Sequence, residues 1–211
     1  MVSARRPQQF HWIVSPLLLF VLFGHANAAA ASADNPELKQ ICDADQKDRE
    51  VAPGKTLDWE SINLRDLARR ARVHELIDPG RLATGKDYER AAMVFQHGDS
   101  SDDILLAHVL AVTAIGKGDM DARWLAAASL DRFLKRIGQP QVFGTQFFSK
   151  TENEHQTWTM EPYNRSLIGP SLRDANCVPD QEHQAETLKA FSTGEQPQAP
   201  KKPPCMEPPR R

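Results

Sequence analysis

The chain has 211 residues, of which 40% are hydrophobic and 26% are charged. This composition is typical of a globular protein and excludes a wholly disordered or fibrous chain. The formal net charge of −2 contains no basic excess, which argues against a dedicated nucleic-acid-binding protein. The length is sufficient for one domain of ordinary size that buries its own core.

The first 28 residues have the pattern of a secretory signal peptide. Arg5 and Arg6 form a positive amino-terminal region, and residues 13–23 form an apolar stretch of 11 residues. Small residues at positions 26 and 28 suit cleavage by signal peptidase. The apolar stretch is too short to cross a hydrocarbon core of about 30 Å. We therefore expect an exported protein, periplasmic or extracellular, with no stable membrane span after leader cleavage. The alternative is an uncleaved anchor or a buried helix.

The rest of the chain divides by composition into three parts. Residues 29–36 form a linker of small residues, and residues 37–193 form a predicted helical domain. Residues 194–211 form a tail that holds six of the 15 prolines. Such a tail is typical of a disordered segment with local polyproline conformation.

Apolar periodicity and capping residues predict a series of helices in chain order. Thr84 and Asp87 have the spacing of a capping box, and Ser100 has the position of a second N-cap. The helix that follows Ser100 is apolar nearly all round, which predicts a central helix packed on several sides. The predicted helices cover about residues 36–49, 58–77, 84–97, 102–115, 121–137 and 180–191.

The pattern changes after the fifth predicted helix. Residues 139–148 are rich in β-prone side chains around Gly144 and predict a short strand or a structured loop. Residues 149–180 have no clear period. The expected fold class is therefore mainly α, a compact bundle of five or six helices with one irregular loop or short-strand region.

A repeat architecture is an alternative for the two helices between residues 105 and 138. This segment spans 34 residues, which is the period of the tetratricopeptide repeat. The signature residues of that repeat are missing, and a stable array needs three or more units. A single domain is therefore the leading prediction.

The three cysteines are Cys42, Cys177 and Cys205. Export would place them in an oxidising compartment, where thiols tend to pair. Cys42 and Cys177 lie near the two ends of the predicted domain, and we expect a disulfide between them. The alternative is that all three thiols remain free.

Polar residues that could carry function cluster in three places. Gln96, His97 and Asp99 close one helix, Asp131 lies inside another helix with apolar neighbours one and two turns away, and residues 139–146 follow that helix. A carboxylate that faces inward must be hydrogen-bonded. We expect Asp131 to accept hydrogen bonds from amides or hydroxyls of the Gly144–Thr145 loop, or from His97.

These groups support two interpretations. In the first, Asp131 is a structural clasp that ties the loop to the helices. In the second, Asp131 orients His97 as a general base, and Thr145 or a water acts as the nucleophile. His97 and Asp99 with nearby acids could also bind a metal, but no HExxH, CxxC or EF-hand spacing is present. We therefore predict no metal site and no cofactor.

At these residues the sequence resembles an uncharacterised family of bacterial helical domains, a domain of unknown function. The family pattern has a helix ending in Gln-His, a helix carrying Asp-Arg, and a following Gly-x-x-Gln-x-x-Gly-Thr-Gln. The resemblance covers about residues 84–148 and implies a mainly helical fold without an established activity. The residues that match it are Gln96, His97, Asp99, Asp131, Arg132, Gly138, Gln141, Gly144, Thr145 and Gln146.

The leading functional prediction is a non-catalytic exported binding or scaffold module. Its helix hairpins and the 139–148 loop would form a groove for an unidentified protein or small-molecule ligand. In this interpretation the polar residues that bind or form the clasp are Gln96, Asp99, Arg132, Gln141, Gly144 and Gln146. The alternatives are a small hydrolase-like enzyme that uses His97 and Asp131, and a short tetratricopeptide-like interaction protein.

Overall fold

A computed structural model describes residues 32–50, 56–152, 155–160 and 162–193. The expected signal peptide, residues 29–31 of the expected linker and the proline-rich tail lie outside these ranges. The described part of the chain is mainly helical, as predicted, and includes a short turn of 3₁₀ helix, Met120–Ala122. Its helices and strands are α1 (Pro36–Lys47), α2 (Trp59–Ile77), α3 (Gly85–Phe95), α4 (Ser101–Gly116), α5 (Arg123–Arg136), β1 (Phe147–Glu152), β2 (His155–Met160), α6 (Pro170–Ala175) and α7 (Gln181–Thr193).

Local capping contacts fix where α3 and α4 begin. The Thr84 hydroxyl accepts from the Asp87 amide at 3.1 Å, and the Asp87 carboxylate accepts from the Thr84 amide at 3.2 Å. The Ser100 hydroxyl accepts from the Asp103 amide at 3.0 Å. These bonds satisfy amides that the helix itself leaves without partners. The predicted capping box and second N-cap are confirmed.

The main core surrounds α3. This helix packs against α1, α2 and α4, and its Phe95 is the largest fully buried side chain described. The sequence predicted α4 as a central helix packed on several sides, and α4 does pack against α3, α5 and the 3₁₀ turn. α4 packs between α3 and α5 and leaves a third face to solvent. Leu105, Val109 and Val112 on that face are 38%, 52% and 49% exposed. Within the described ranges, no helix is both long enough and apolar enough to cross a bilayer.

A second, smaller region follows α5. The loop of residues 141–146 leads into β1, which pairs antiparallel with β2 from Phe147 opposite Met160 to Glu152 opposite His155. α7 packs against β2. Phe143 and Val178 pack with Ala127 of α5 in a separate apolar cluster. The irregular region predicted at 139–148 is therefore a loop followed by the start of a strand.

The predicted Cys42–Cys177 disulfide is wrong. Cys42 is a free thiol that packs against the main core, and no disulfide joins two residues of the described ranges. Cys177 lies beyond α6, next to Val178 of the smaller cluster. Burial, with the charges of Asp45 and Asp43, raises the pKa of Cys42 to about 11. The thiol is therefore protonated and unreactive at neutral pH.

Candidate functional site

A cleft of about 840 Å³ lies among α2, the end of α3, the end of α5 and the start of β1. This volume is within the range of small-molecule binding sites. Four of the residues singled out from the sequence line the cleft: Gln96, His97, Arg132 and Gln146.

Asp131 lies behind the cleft and organises the loop of residues 141–146. Its side chain is 0% exposed. One carboxylate oxygen accepts from the amides of Val142 at 2.7 Å and Phe143 at 3.0 Å. The other accepts from the amide and the hydroxyl of Thr145, both at 2.9 Å. The expected contact between Asp131 and the loop is confirmed, and these four bonds satisfy the buried charge.

Gln141 and Gly144 complete the loop. The Gln141 side chain is buried, accepts from the Gln146 amide at 2.8 Å and donates to the Gln146 carbonyl at 3.2 Å. Gly144 has a φ of +70°, and a Cβ there would lie 3.0 Å from Met160 Sδ and 3.2 Å from the Tyr163 ring. Only glycine suits both the backbone conformation and the close approach of the hairpin.

Arg132 connects this loop to the end of α3. Its Nε donates to Gln146 Oε1 at 3.1 Å, and its Nη1 donates to the Gln96 carbonyl at 2.7 Å. Nη2 makes no hydrogen bond within the described chain, and no carboxylate pairs with the guanidinium there. Asp131 adjoins it in sequence but lies about 100° away around the helix. Burial, together with the charge of Arg49, lowers the pKa of Arg132, although an arginine side chain remains cationic in proteins.

His97 has a different partner from the one expected. Its Nδ1 lies 3.1 Å from Oδ2 of Asp45 on α1, and no bond joins it to Asp131 among the described residues. Asp45 is 0% exposed and also accepts from Arg49 at 3.0 Å and from Gln46 at 2.7 Å. The other ring nitrogen of His97, Nε2, makes no hydrogen bond in the described part of the chain.

Asp66 on α2 is the carboxylate in the cleft wall. It accepts from Arg49 Nη2 at 2.5 Å and from Arg69 Nη1 at 2.8 Å. Burial alone would raise the pKa of Asp66, but the hydrogen bonds and charges of Arg49 and Arg69 outweigh it, and the pKa is lowered. The acid in the wall is therefore ionised and already paired.

Cations dominate the described lining of the cleft. Arg49, Arg132, Lys135 and Arg136 line it against the single carboxylate of Asp66. Lys135 and Arg136 belong to the last turn of α5, where the helix dipole favours positive charge. The apolar part of the wall is formed by Leu57, Trp59, Ile104 and Phe147. The cleft therefore suits a ligand with an anionic group and an apolar part.

Two other residues singled out from the sequence, Thr145 and Asp99, have structural contacts. The Thr145 hydroxyl donates to Asp131 and accepts from Gln146 Nε2 at 3.1 Å, so it is not available as a nucleophile. Asp99 stands apart from the loop network and accepts from Arg70 Nη2 at 3.1 Å. The ranges described contain no group of three or more His, Cys, Asp or Glu side chains that could hold a metal ion.

Sequence reasoning missed Asp45, Arg49 and Asp66. The spacing of Asp45 and Arg49, four residues apart across the end of α1, was a usable signal for their ion pair. No local spacing connects Asp45 to His97, because they are 52 residues apart.

No family model, curated protein or solved structure matches this chain. The resemblance to the uncharacterised bacterial family stays a prediction.

Proposed function

We propose that the chain is an exported binding protein whose cleft holds a small organic anion. One observation carries this proposal: Arg132 and Arg136, one turn apart on α5, both line the cleft, and neither has a carboxylate partner among the described residues. Arg132 is partly buried and Arg136 is exposed, and a cation that is partly removed from water gains free energy from an anionic partner.

Arg132 is held ready for such a partner. Its bonds to Gln96 and Gln146 fix the guanidinium plane and leave Nη2 for a ligand. A donor that is already ordered loses less conformational entropy on binding. The loop held by Asp131 supports this arrangement, because it positions Gln146.

The apolar wall narrows the class of ligand. Trp59 is 56% exposed at the cleft, and a ring that lies against it would bury apolar surface. An anion that carries an aromatic or other apolar group therefore fits better than a bare ion. Phenyl phosphate combines both features and is a suitable probe.

The contacts give less support to the alternatives. A hydrolase that combines His97, Asp131 and Thr145 is disfavoured, because Asp131 and Thr145 bond to each other and His97 bonds to Asp45. A tetratricopeptide-like array is disfavoured because the helix pair α4–α5 is followed by a β-hairpin.

Calorimetric titration with phenyl phosphate tests the binding proposal. We expect the wild-type chain to bind the probe and Arg132→Gln to weaken binding at least about tenfold, because a charge-assisted hydrogen bond is lost. The matched control is Arg72→Gln, which removes the same charge from an ion pair with Glu37 and Glu75 outside the cleft. Absence of wild-type binding, or equal weakening by both variants, would contradict the proposal.

Export is tested separately. Expression of the full chain in a bacterium with a secretory pathway, followed by amino-terminal sequencing of the product, should yield a chain that begins at Ala29. A product that retains the first residues and stays with the cytoplasmic fraction would contradict export.

A further inference from the structure

We propose that His97 is a general base that activates water for hydrolysis of a phosphoester held in the cleft. This inference rests on the proposed anion site and goes beyond it, because a binding protein needs no base. The observation behind it is that two consecutive residues at the end of α3 bring the cation and the imidazole together. The Gln96 carbonyl accepts a hydrogen bond from Arg132, and the next residue, His97, carries the imidazole.

Asp45 sets the proton distribution on the imidazole. A carboxylate 3.1 Å from Nδ1 favours the proton on that nitrogen and leaves the lone pair on Nε2. Nε2 makes no hydrogen bond within the described residues, and His97 is one of the residues that line the cleft. His97 is thus able to accept a proton from a water in the cleft.

The backbone of His97 is also fixed. Its amide donates to the Val94 carbonyl at 3.4 Å, and its carbonyl accepts from Arg70 Nη1 at 3.3 Å. A base held at both the ring and the backbone keeps its orientation while a ligand binds, which general-base catalysis requires.

The charge of the cleft selects the substrate class. A phosphoester carries negative charge on its non-bridging oxygens, and cations that surround them stabilise the transition state of phosphoryl transfer. Arg132 and Arg136 supply such cations, whereas a neutral carboxylic ester would not need them. The acid in the wall, Asp66, is neutralised by Arg49 and Arg69 and does not repel the substrate strongly.

The proposed reaction consumes one water and one phosphoester. The water gives a proton to His97 Nε2 while its oxygen forms a bond to phosphorus. The bond between phosphorus and the leaving oxygen breaks, and that oxygen takes the proton from the imidazolium. The products are an alcohol and a phosphate, and the step needs no oxidant or reductant.

The described charged groups near His97 come from three helices and the segment after α1. They are Asp45 of α1, Arg49 just after α1, Asp66 and Arg70 of α2, and Arg132 of α5. A general base accepts a proton only in its unprotonated form, so we expect kcat to be lower under acidic conditions than at neutral pH. A purely structural His97–Asp45 contact between α1 and α3 would not produce this pH dependence of kcat.

The test measures p-nitrophenol release from p-nitrophenyl phosphate, together with phenyl phosphate binding, for the full chain. We expect wild-type turnover, a loss of kcat of about 100-fold or more in His97→Gln, and phenyl phosphate affinity within about threefold of wild type. Asp45→Asn should lower kcat about tenfold or more, because the ring orientation is lost. The matched control, His183→Gln, alters a histidine 3.8 Å from Glu186 on α7 and should leave kcat unchanged.

The outcomes separate the two proposals. Binding of phenyl phosphate without any wild-type turnover would overturn catalysis and leave the binding function intact, whereas absence of binding would overturn both. Unchanged turnover in His97→Gln would overturn the role of His97, and equal hydrolysis of p-nitrophenyl acetate would overturn the substrate class. If His97→Gln melts below the assay temperature, two other measurements test the inference: kcat of Asp45→Asn and the pH profile of kcat for the wild type. A flat wild-type profile, or an unchanged kcat in Asp45→Asn, would overturn the inference.

Discussion

Two fully buried carboxylates, Asp131 and Asp45, have opposite kinds of partner. Asp131 is bonded by three backbone amides and one hydroxyl of the loop that follows its helix. Asp45 is bonded by the side chains of His97, Arg49 and Gln46. A buried carboxylate that accepts hydrogen bonds from backbone amides determines the path of the chain. A buried carboxylate that pairs with ionisable side chains at a cleft determines the charge and orientation of those side chains.

The two acids should also differ in how much each contributes to the stability of the fold. Removal of the Asp131 carboxylate leaves buried amides without an acceptor, which is among the most destabilising changes a core can undergo. Removal of the Asp45 charge leaves Arg49 with Asp66 as its remaining ionic partner. Stability measurements should therefore distinguish the two acids before any functional assay is done.

The largest expected effect belongs to Asp131→Asn. Loss of the charge and of one acceptor oxygen should lower the free energy of unfolding by about 3–5 kcal/mol, and Tm by about 6–20 °C. Thermal denaturation followed by circular dichroism measures this. The control is Asp99→Asn, at a side chain that is 78% exposed, and it should change Tm by less than about 2 °C. Equal shifts of Tm in the two variants would contradict the structural role of Asp131.

Asp45→Asn should lower the free energy of unfolding by about 2 kcal/mol, which is less than the effect of Asp131→Asn. The partners of Asp45 are side chains, and one of them, Arg49, keeps its ion pair with Asp66. Denaturant unfolding of the two variants under the same conditions measures the two losses of unfolding free energy. Phenyl phosphate binding should survive in Asp45→Asn, because the cations of the cleft remain. A loss of stability as large as that of Asp131→Asn would show that both acids are mainly structural.

Thr145→Val removes one of the four hydrogen bonds to Asp131, and one acceptor of Gln146 Nε2, without changing the shape of the side chain. We expect a loss of about 1 kcal/mol in the free energy of unfolding, typical of one hydrogen bond to a buried charge that keeps its other donors. Thr145→Ser retains the hydroxyl and should lie closer to wild type in the same chemical denaturation experiment. The reverse order would mean that methyl packing, not the hydroxyl, matters at this position.

The smallest effect concerns acid stability at the cleft wall. The pKa of Asp66 is lowered in the folded chain, so its ionised form contributes stability above the unfolded pKa of about 3.9. That contribution declines as the pH falls from there through the folded pKa, because the unfolded chain takes up the proton first. In denaturation series between pH 7 and pH 2, Asp66→Asn should show a shallower loss of stability than wild type. Parallel curves would contradict this role.

The elements that depend on neighbouring residues were predictable from the sequence. The capping residues Thr84 and Ser100 each bond an amide three residues later. Both partners of these contacts therefore lie within a short stretch of sequence. The contact of Asp131 with the loop was predictable for a similar reason. Helical spacing places this acid inward, and the loop that satisfies it begins about ten residues later.

The remaining features depend on long-range packing. The strands β1 and β2 alternate weakly in hydropathy, because the hairpin is small and only partly covered, so no period indicated them. The apolar composition of α4 predicted its packing on several sides, but composition does not specify which face of the helix stays exposed. The pairing of Asp45 with His97 requires α1 to lie beside the end of α3, and no local pattern encodes that arrangement.

The position of Asp45 on α1 has a practical consequence for truncated versions of the protein. The residues that carry the motif pattern lie between 84 and 148, and a minimal fragment chosen from them would begin well after α1. Such a fragment would keep the imidazole and the arginines of α5 but lose the acid that orients the imidazole and the Arg49 side of the wall. Deletion series should therefore start no later than Asn35, the residue that caps α1.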